Sequence, residues 1–309
     1  MQNEQPVPLT MEVMRNAVEG LSSAENGLYY IDPNMAVVHG KPGLFRNLSQ
    51  TQTPYLIEDM RLGIIVKGEL RATVNLLERK MTAGTIAYIM PGSVVQPIAM
   101  SDDLQLVGMA LFGETSKLAM RERMPAVFSG KSRDGRMFPN ENERTLLTDM
   151  FNLLYRMVSQ KPYSMDTVMS QVSAIVWQYD YLFSREESDS QAKSRNREVF
   201  EQFIRLVNEH ARRERKMDFY ADRMCLTKRY LGTLIKQTSS IGAKEWIDRA
   251  IVTEAKVMLR HTNRQVIEIS DELGFPNPGF FCKFFRRLAG TSPQVYREAL
   301  GQIWPIIKT

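Results

Sequence analysis

The sequence predicts an α+β chain of two domains: an N-terminal β-barrel with a helical pair, then an all-α domain with two helix-turn-helix motifs. Three observations carry this reading. Between residues 27 and 112 the apolar residues fall in short runs separated by turn residues. From Asn140 onward the apolar spacing becomes helical. In the last third, one pattern occurs twice, about fifty residues apart. Ala221, Met224 and Leu226 lead into Thr227-Lys228-Arg229-Tyr230-Leu231, then Leu234-Ile235-Lys236. Ile269, Leu273 and Phe275 lead into Asn277-Pro278-Gly279-Phe280-Phe281, then Phe284-Phe285-Arg286. Each copy reads as a short helix, a tight turn, a capping residue and a basic-apolar helix.

The elements follow in order. The first 25 or so residues are polar and expected to be loosely held; residues 1–10 lack a basic-then-apolar order, so no secretory signal is expected. Stretches 62–66, 70–77, 85–90, 94–98 and 104–112 read as strands, and Pro91-Gly92 closes the third. Strands at this spacing suggest a barrel or sandwich. Tyr29, Phe45, Tyr55 and Tyr88 stand as core or pocket residues. Metal-dependent barrels cluster histidines with a carboxylate. Residues 1–194 hold a single histidine, His39, so no metal and no cofactor is expected; His39 reads as a surface or hydrogen-bonded residue, or as part of a pocket wall.

Next come two helical stripes. Leu146, Leu147, Met150, Leu154, Met157 and Val158 form the first, broken at Lys161-Pro162. Met165, Val168, Met169, Val172, Ile175, Val176, Tyr179, Leu182 and Phe183 form the second. One side covers the barrel, and the other either meets a second subunit or stays inside its own. Stretch 184–197 is rich in charge and serine and reads as a linker. The expected domains are therefore 1–184, a linker at 185–197, and 198–300. In the last, Val199, Phe203, Leu206 and Val207 mark one helix, and Trp246, Ile247, Ala250, Ile251, Ala255, Met258 and Leu259 a longer one between the repeats.

Hydrophobic residues make up 43% of the chain, enough for a real core. No apolar run approaches the ~20 residues that span a bilayer, so no membrane partner is expected. Cys225 and Cys282, one in each repeat, read as small apolar groups, and a reducing cytoplasmic setting fits them. The net charge of +5 hides an asymmetry: residues 195–309 carry 21 basic and 13 acidic side chains, residues 1–194 carry 19 and 22. The basic half implies a polyanionic partner, because neutralised phosphates release counterions. The alternative is a plain solvated basic surface.

In the first repeat, Thr227 caps the second helix. Leu231, Leu234 and Ile235 face inward, leaving Lys228, Arg229, Gly232, Thr233 and Lys236 outward. A helix of this kind reads bases mainly from its N-terminal end. Arg229 suits a guanine edge, while Lys228 and Lys236 suit phosphates. In the second repeat, Asn277 caps or bonds an adenine, and Pro278 fits the first helical position. Gly279 leaves room for close approach, and Lys283, Arg286 and Arg287 supply charge. Phe280, Phe281, Phe284 and Phe285 read as core, the alternative being base stacking. The repeats align at an offset of 49 before the turn (Ala221 with Ser270) and 50 after it (Lys236 with Arg286), so the second turn is one residue longer.

Stretch 267–287, with Leu273-Gly274-Phe275-Pro276-Asn277-Pro278-Gly279-Phe280-Phe281-Cys282-Lys283-Phe284-Phe285-Arg286-Arg287, followed by Gly290-Thr291-Ser292-Pro293 and Tyr296-Arg297, closely resembles the signature of the AraC/XylS family of bacterial transcription regulators. The resemblance runs over about 200–297. It implies a seven-helix domain whose two recognition helices enter successive major grooves on one DNA face. It places contacts on Lys228, Arg229, Thr233, Asn277, Gly279 and Lys283, with Arg286 near the backbone. Two residues depart from the family pattern: Cys225, where a turn glycine is common, and Ile251, where the connecting helix usually has arginine. More loosely, Gly84-Thr85-Ile86-Ala87-Tyr88-Ile89-Met90-Pro91-Gly92 resembles a segment of the family's cupin-like sensor domain.

These readings imply a sequence-specific transcription regulator, not an enzyme. Its expected partners are double-stranded promoter DNA, a second copy of the chain, a small-molecule effector in the barrel, and RNA polymerase; its expected place is the cytoplasmic nucleoid. The alternatives are a cupin-type enzyme with a basic DNA-localising tail and a non-specific architectural DNA-binding protein.

Overall fold

The structure, a computed structural model, describes residues 28–40, 54–120, 123–129, 132–189 and 195–301. The polar N-terminus and Phe45 lie outside them, and the Tyr29 side chain is not described. The chain divides into two compact units, within 8–191 and within 192–306.

In the first unit, β1 (Leu28–Ile31), β2 (Met35–Gly40), β3 (Tyr55–Ile57), β4 (Met60–Lys67), β5 (Glu69–Val74), β6 (Leu77–Thr82), β7 (Ile86–Ile89), β8 (Ser93–Met100), β9 (Gln105–Leu111) and β10 (Asp134–Met137) form two antiparallel sheets. One has six strands in the order β1-β2-β9-β4-β7-β10, the other four in the order β3-β8-β5-β6. Burial alternates with period two, as a sheet with two different faces requires. On the six-stranded sheet, Met35, Val37, Met60, Leu62, Ile64, Ile86, Tyr88, Val107, Met109 and Leu111 point to one side and join the main core. The opposite face looks toward the four-stranded sheet across a cavity of about 170 Å³. Tyr55 and Tyr88 are core residues.

The stretch 70–77, read as one strand, is two. It folds back at Asn75 and Leu76, both left-handed at φ of 47° and 72°, so that Val74 pairs with Leu77. Leucine is a poor residue for that backbone, and tertiary bonds hold the turn. The Asn75 amide Nδ2 donates to Asp134 Oδ1 at 3.0 Å, and its Oδ1 accepts from Val94 N at 3.0 Å.

After a short α1 (Glu114–Ala119) come α2 (Glu141–Ser159) and α3 (Met165–Asp189). A reciprocal cap starts α2: Asn140 Oδ1 accepts from Glu143 N and Glu143 Oε2 from Asn140 N, each at 3.0 Å. Leu147, Phe151, Leu154 and Val158 of α2, with Val168, Val172, Ile175, Val176 and Tyr179 of α3, close the main core. The buried Tyr179 hydroxyl donates to the Gly63 carbonyl at 2.7 Å, tying α3 to β4. His39 hydrogen-bonds Asn152 Oδ1 at 2.9 Å and stacks on Tyr155 of α2, away from the cavity wall. The helix α3 continues to Asp189, so residues 185–189 of the stretch read as a linker are helical. Arginine and glutamate in that stretch are good helix formers.

In the second unit, α4 (Arg195–His210), α5 (Met217–Arg223), α6 (Lys228–Ser239), α7 (Ala243–His261), α8 (Val266–Glu272), α9 (Pro278–Ala289) and α10 (Pro293–Gly301) pack around α7, which touches α4, α6, α8, α9 and α10. Its buried Trp246, Ile247, Ala250, Ile251, Ala255 and Met258 form the spine of the unit. Ile251 is fully buried, which stabilises by about 1.5–3 kcal/mol. An arginine at that point would need a polar partner inside the core.

Candidate nucleic-acid interface

The two repeats are built from the same hydrogen bonds. At the end of α5, Leu226 N donates to Ala221 O at 2.9 Å and Cys225 N to Asp222 O at 3.0 Å. At the end of α8, Phe275 N donates to Ser270 O and Gly274 N to Asp271 O, both at 3.0 Å. This nested pair is a Schellman cap. It requires one left-handed residue, supplied by Cys225 at φ 53° and Gly274 at φ 67°. Cys225 is exposed there, not packed as a small apolar group, because the motif turns its side chain outward. Pro276 is the extra residue of the second turn.

The following helices begin alike. Thr227 Oγ1 accepts from Tyr230 N at 3.2 Å, and Asn277 Oδ1 accepts from Phe280 N at 3.1 Å. Both helices end on left-handed residues, Ser240 and Gly290. Leu231, Leu234 and Ile235 bury one face of α6, and Phe281 and Phe285 one face of α9.

All ten residues singled out from the sequence, Thr227, Lys228, Arg229, Thr233, Lys236, Asn277, Gly279, Lys283, Arg286 and Arg287, are exposed. Their partners differ. Thr227 and Asn277 use their side-chain oxygens as caps, and Thr233 Oγ1 donates back to the Arg229 carbonyl at 2.9 Å. Lys228 pairs with Asp218 at 3.0 Å, but both side chains are more than half exposed. Such a pair is worth ~0–1 kcal/mol, so a phosphate can compete for it. Arg287 instead pairs at 3.3 Å with Asp248, a buried carboxylate that Lys244 also holds, which joins α9 to α7. Arg229, Lys236, Lys283 and Arg286 make no ion pair among the described residues.

The segment between α4 and α5 is tied to the second repeat. Glu272 at the end of α8 accepts ion pairs from Arg212 and Arg264. The Arg215 guanidinium lies 3.8 Å from the Phe275 ring centre and 5.5 Å from that of Phe284. Burial lowers the pKa of Arg215 from its ordinary value, and the ring faces replace part of its lost hydration.

Sequence reasoning missed two residues. Phe280, read as core, is 60% exposed, and Tyr230 is 47% exposed. They are equivalent positions, 50 residues apart, three residues beyond each cap. With Phe281 and Phe285 turned inward, Phe280 lies about 100° round the helix from Phe281 and cannot share its face. The signal was the alignment itself, which pairs Phe280 with the outward Tyr230. An exposed aromatic at this point suits a thymine methyl group.

The helix-turn-helix domain family matches residues 220–299. Regulatory protein PocR of Salmonella typhimurium is 27% identical over 99 residues, which are 32% of this chain and 33% of PocR. The HTH-type transcriptional activator RhaS of Citrobacter koseri is 25% identical over 134 residues, 43% of this chain and 48% of RhaS. The matches thus span a third to a half of the length of these curated relatives. The crystal structure of ToxT from Vibrio cholerae O395 covers 79% of this chain and 90% of its own, at 13% identity and a TM-score of 0.37. Residues 220–299, about a quarter of the chain, carry a helix-turn-helix domain of the AraC type.

Proposed function

We propose that the chain is a transcription regulator that binds double-stranded promoter DNA sequence-specifically through α6 and α9. The observation that carries this reading is the identity of the two turn-and-cap motifs, which offers two helices whose exposed Arg229, Lys236, Lys283 and Arg286 make no ion pair among the described residues. In this reading Arg229 reads a base edge, while Lys228, Lys236, Lys283 and Arg286 meet phosphates. Asn277, Thr227 and Gly279 set the approach of each helix end, and Arg287 acts chiefly by fixing α9. RNA polymerase is the downstream partner of such a regulator.

Two finer features belong to the same reading. The cavity between the sheets is the site of a small-molecule effector, whose binding shifts the population of DNA-competent chains. A second copy docks on α2, where Leu146 and Leu153 are 48% and 40% exposed one heptad apart. Met150 and Met157, only partly buried, complete a seam of coiled-coil spacing.

The test is equilibrium binding to a duplex carrying the chain's own promoter region and to random duplex at physiological salt. A regulator binds its own site at least ~10³-fold more tightly. Equal affinity with a steep salt slope would instead describe the architectural alternative.

A further inference from the structure

The cavity of the first unit follows from residue size. On the wall made by the six-stranded sheet, Ile31, Val38, Ile65, Ile89 and Leu106 surround a patch of small residues: Ala36 of β2, Gly63 of β4, Ala87 of β7, and Gly108 and Ala110 of β9. Gly63 and Gly108 lie directly opposite each other in the β4–β9 pairing. Leu70, Ala72 and Val74 of β5, with Val95 and Pro97 of β8, make much of the facing wall and do not fill the gap. A space of about 170 Å³ remains. Apolar cavities of about 150 Å³ stay dry and take up benzene.

Among the described lining residues, two polar side chains reach the cavity, Arg61 and Thr85, and both are engaged. The Arg61 guanidinium donates from Nε to Asp59 Oδ1 at 2.7 Å and from Nη2 to Asp59 Oδ2 at 3.0 Å. Asp59 is itself buried, so the pair is fixed and neutral as a unit. The Thr85 hydroxyl accepts from Thr82 N at 3.0 Å. An incoming carboxylate would have to displace Asp59. An ammonium group would find no carboxylate among the described lining residues, and Asp59 beside Arg61 is already paired. A sugar would give up its water for a wall that returns almost no hydrogen bonds.

The geometry points to an uncharged apolar ligand for this cavity, about the size of one substituted aromatic ring, carrying at most a single hydrogen-bonding group. As an effector class, this rests on reading the first unit as the sensing half of a regulator; as a binding property, it stands on the cavity alone.

The test uses the full chain and three probes that share one ring and differ in charge: toluene, benzoate and benzylamine, with glucose as a polar control. Binding is measured by titration calorimetry, and affinity for a duplex holding the chain's own promoter region is measured with and without each probe. Toluene is expected to bind at least about tenfold more tightly than the other three. Ala72→Leu and Ala110→Leu, which fill the cavity, are expected to weaken toluene by about tenfold or more. Because a filled variant can fail by unfolding, Asp59→Asn supplies a gain: it removes the buried carboxylate that neutralises Arg61 and is expected to admit benzoate. Failure of toluene to bind overturns the proposal. So does benzoate, benzylamine or glucose binding the unaltered chain as tightly, or a folded Asp59→Asn that still excludes benzoate. Toluene binding that leaves DNA affinity unchanged upholds the ligand class and counts against the regulatory reading.

Discussion

Cys225 and Gly274 occupy the same left-handed position in two copies of one Schellman cap, 49 residues apart, at φ of 53° and 67°. Glycine adopts that backbone freely, whereas a residue with a Cβ is strained there. The first turn therefore carries a strain that the second does not. Cys225→Gly is expected to stabilise the chain by ~0.5–1 kcal/mol, the relief of ~1–2 kcal/mol less the entropy glycine loses on folding. Gly274→Ala meets no atom within 4 Å, so its cost is the backbone term, ~1–2 kcal/mol. Urea midpoints at unchanged m-value measure both; opposite signs are the expected result.

Arg229 and Lys236 sit on one helix with neither paired among the described residues, yet the roles proposed for them differ. Arg229→Ala is expected to cost ~1–3 kcal/mol on the chain's own site and to relax discrimination at one base pair. Lys236→Ala is expected to weaken every sequence alike and to lower the salt slope by ~1. A competition series over single-base variants of the site separates the two, and equal losses from both variants on specific and random DNA would overturn the assignment.

Phe280 and Phe281 are neighbours with opposite duties, one 60% exposed and the other fully buried. Phe281→Ala is expected to cost ~3–5 kcal/mol of stability through the cavity it leaves. Phe280→Ala is expected to change stability by less than ~0.5 kcal/mol. It should still weaken binding to the chain's own site, as should Tyr230→Ala. Thermal unfolding paired with DNA titration reads both effects.

Leu146 and Leu153 test the seam on α2. Replacing both with glutamate leaves the fold near its original stability, within ~1 kcal/mol, because neither is buried. Sedimentation equilibrium is expected to show the chain shifted toward monomer. A dimer that survives both changes would place the subunit contact elsewhere.

The helical half was the more legible in the sequence because its signals are local. Thr227, Asn277 and the alternation of inward and outward residues need only four or five neighbours to state a cap or a helix face. The hairpin at Asn75 and Leu76 was hidden because Leu76 gives no turn signal; Asp134, 59 residues away from Asn75, helps to hold it. The exposure of Phe280 was hidden because four phenylalanines in six positions look like core, and only the direction of each side chain separates them. That Arg287 faces Asp248, 39 residues earlier, depends on how α9 crosses α7, which no spacing within either helix encodes. The cavity was invisible for a related reason. Alanine and glycine on a strand read as weak strand formers, and their shared wall exists only once β2, β4, β7 and β9 lie side by side.

Both α6 and α9 are proposed to read the duplex. Hydroxyl-radical footprinting on the chain's own promoter region tests it most directly. Two protected patches are expected on one face of the DNA, about one helical turn or 10 base pairs apart, with the patch from α6 lost in Arg229→Ala. A single patch, or protection that spreads evenly along the duplex, would contradict it.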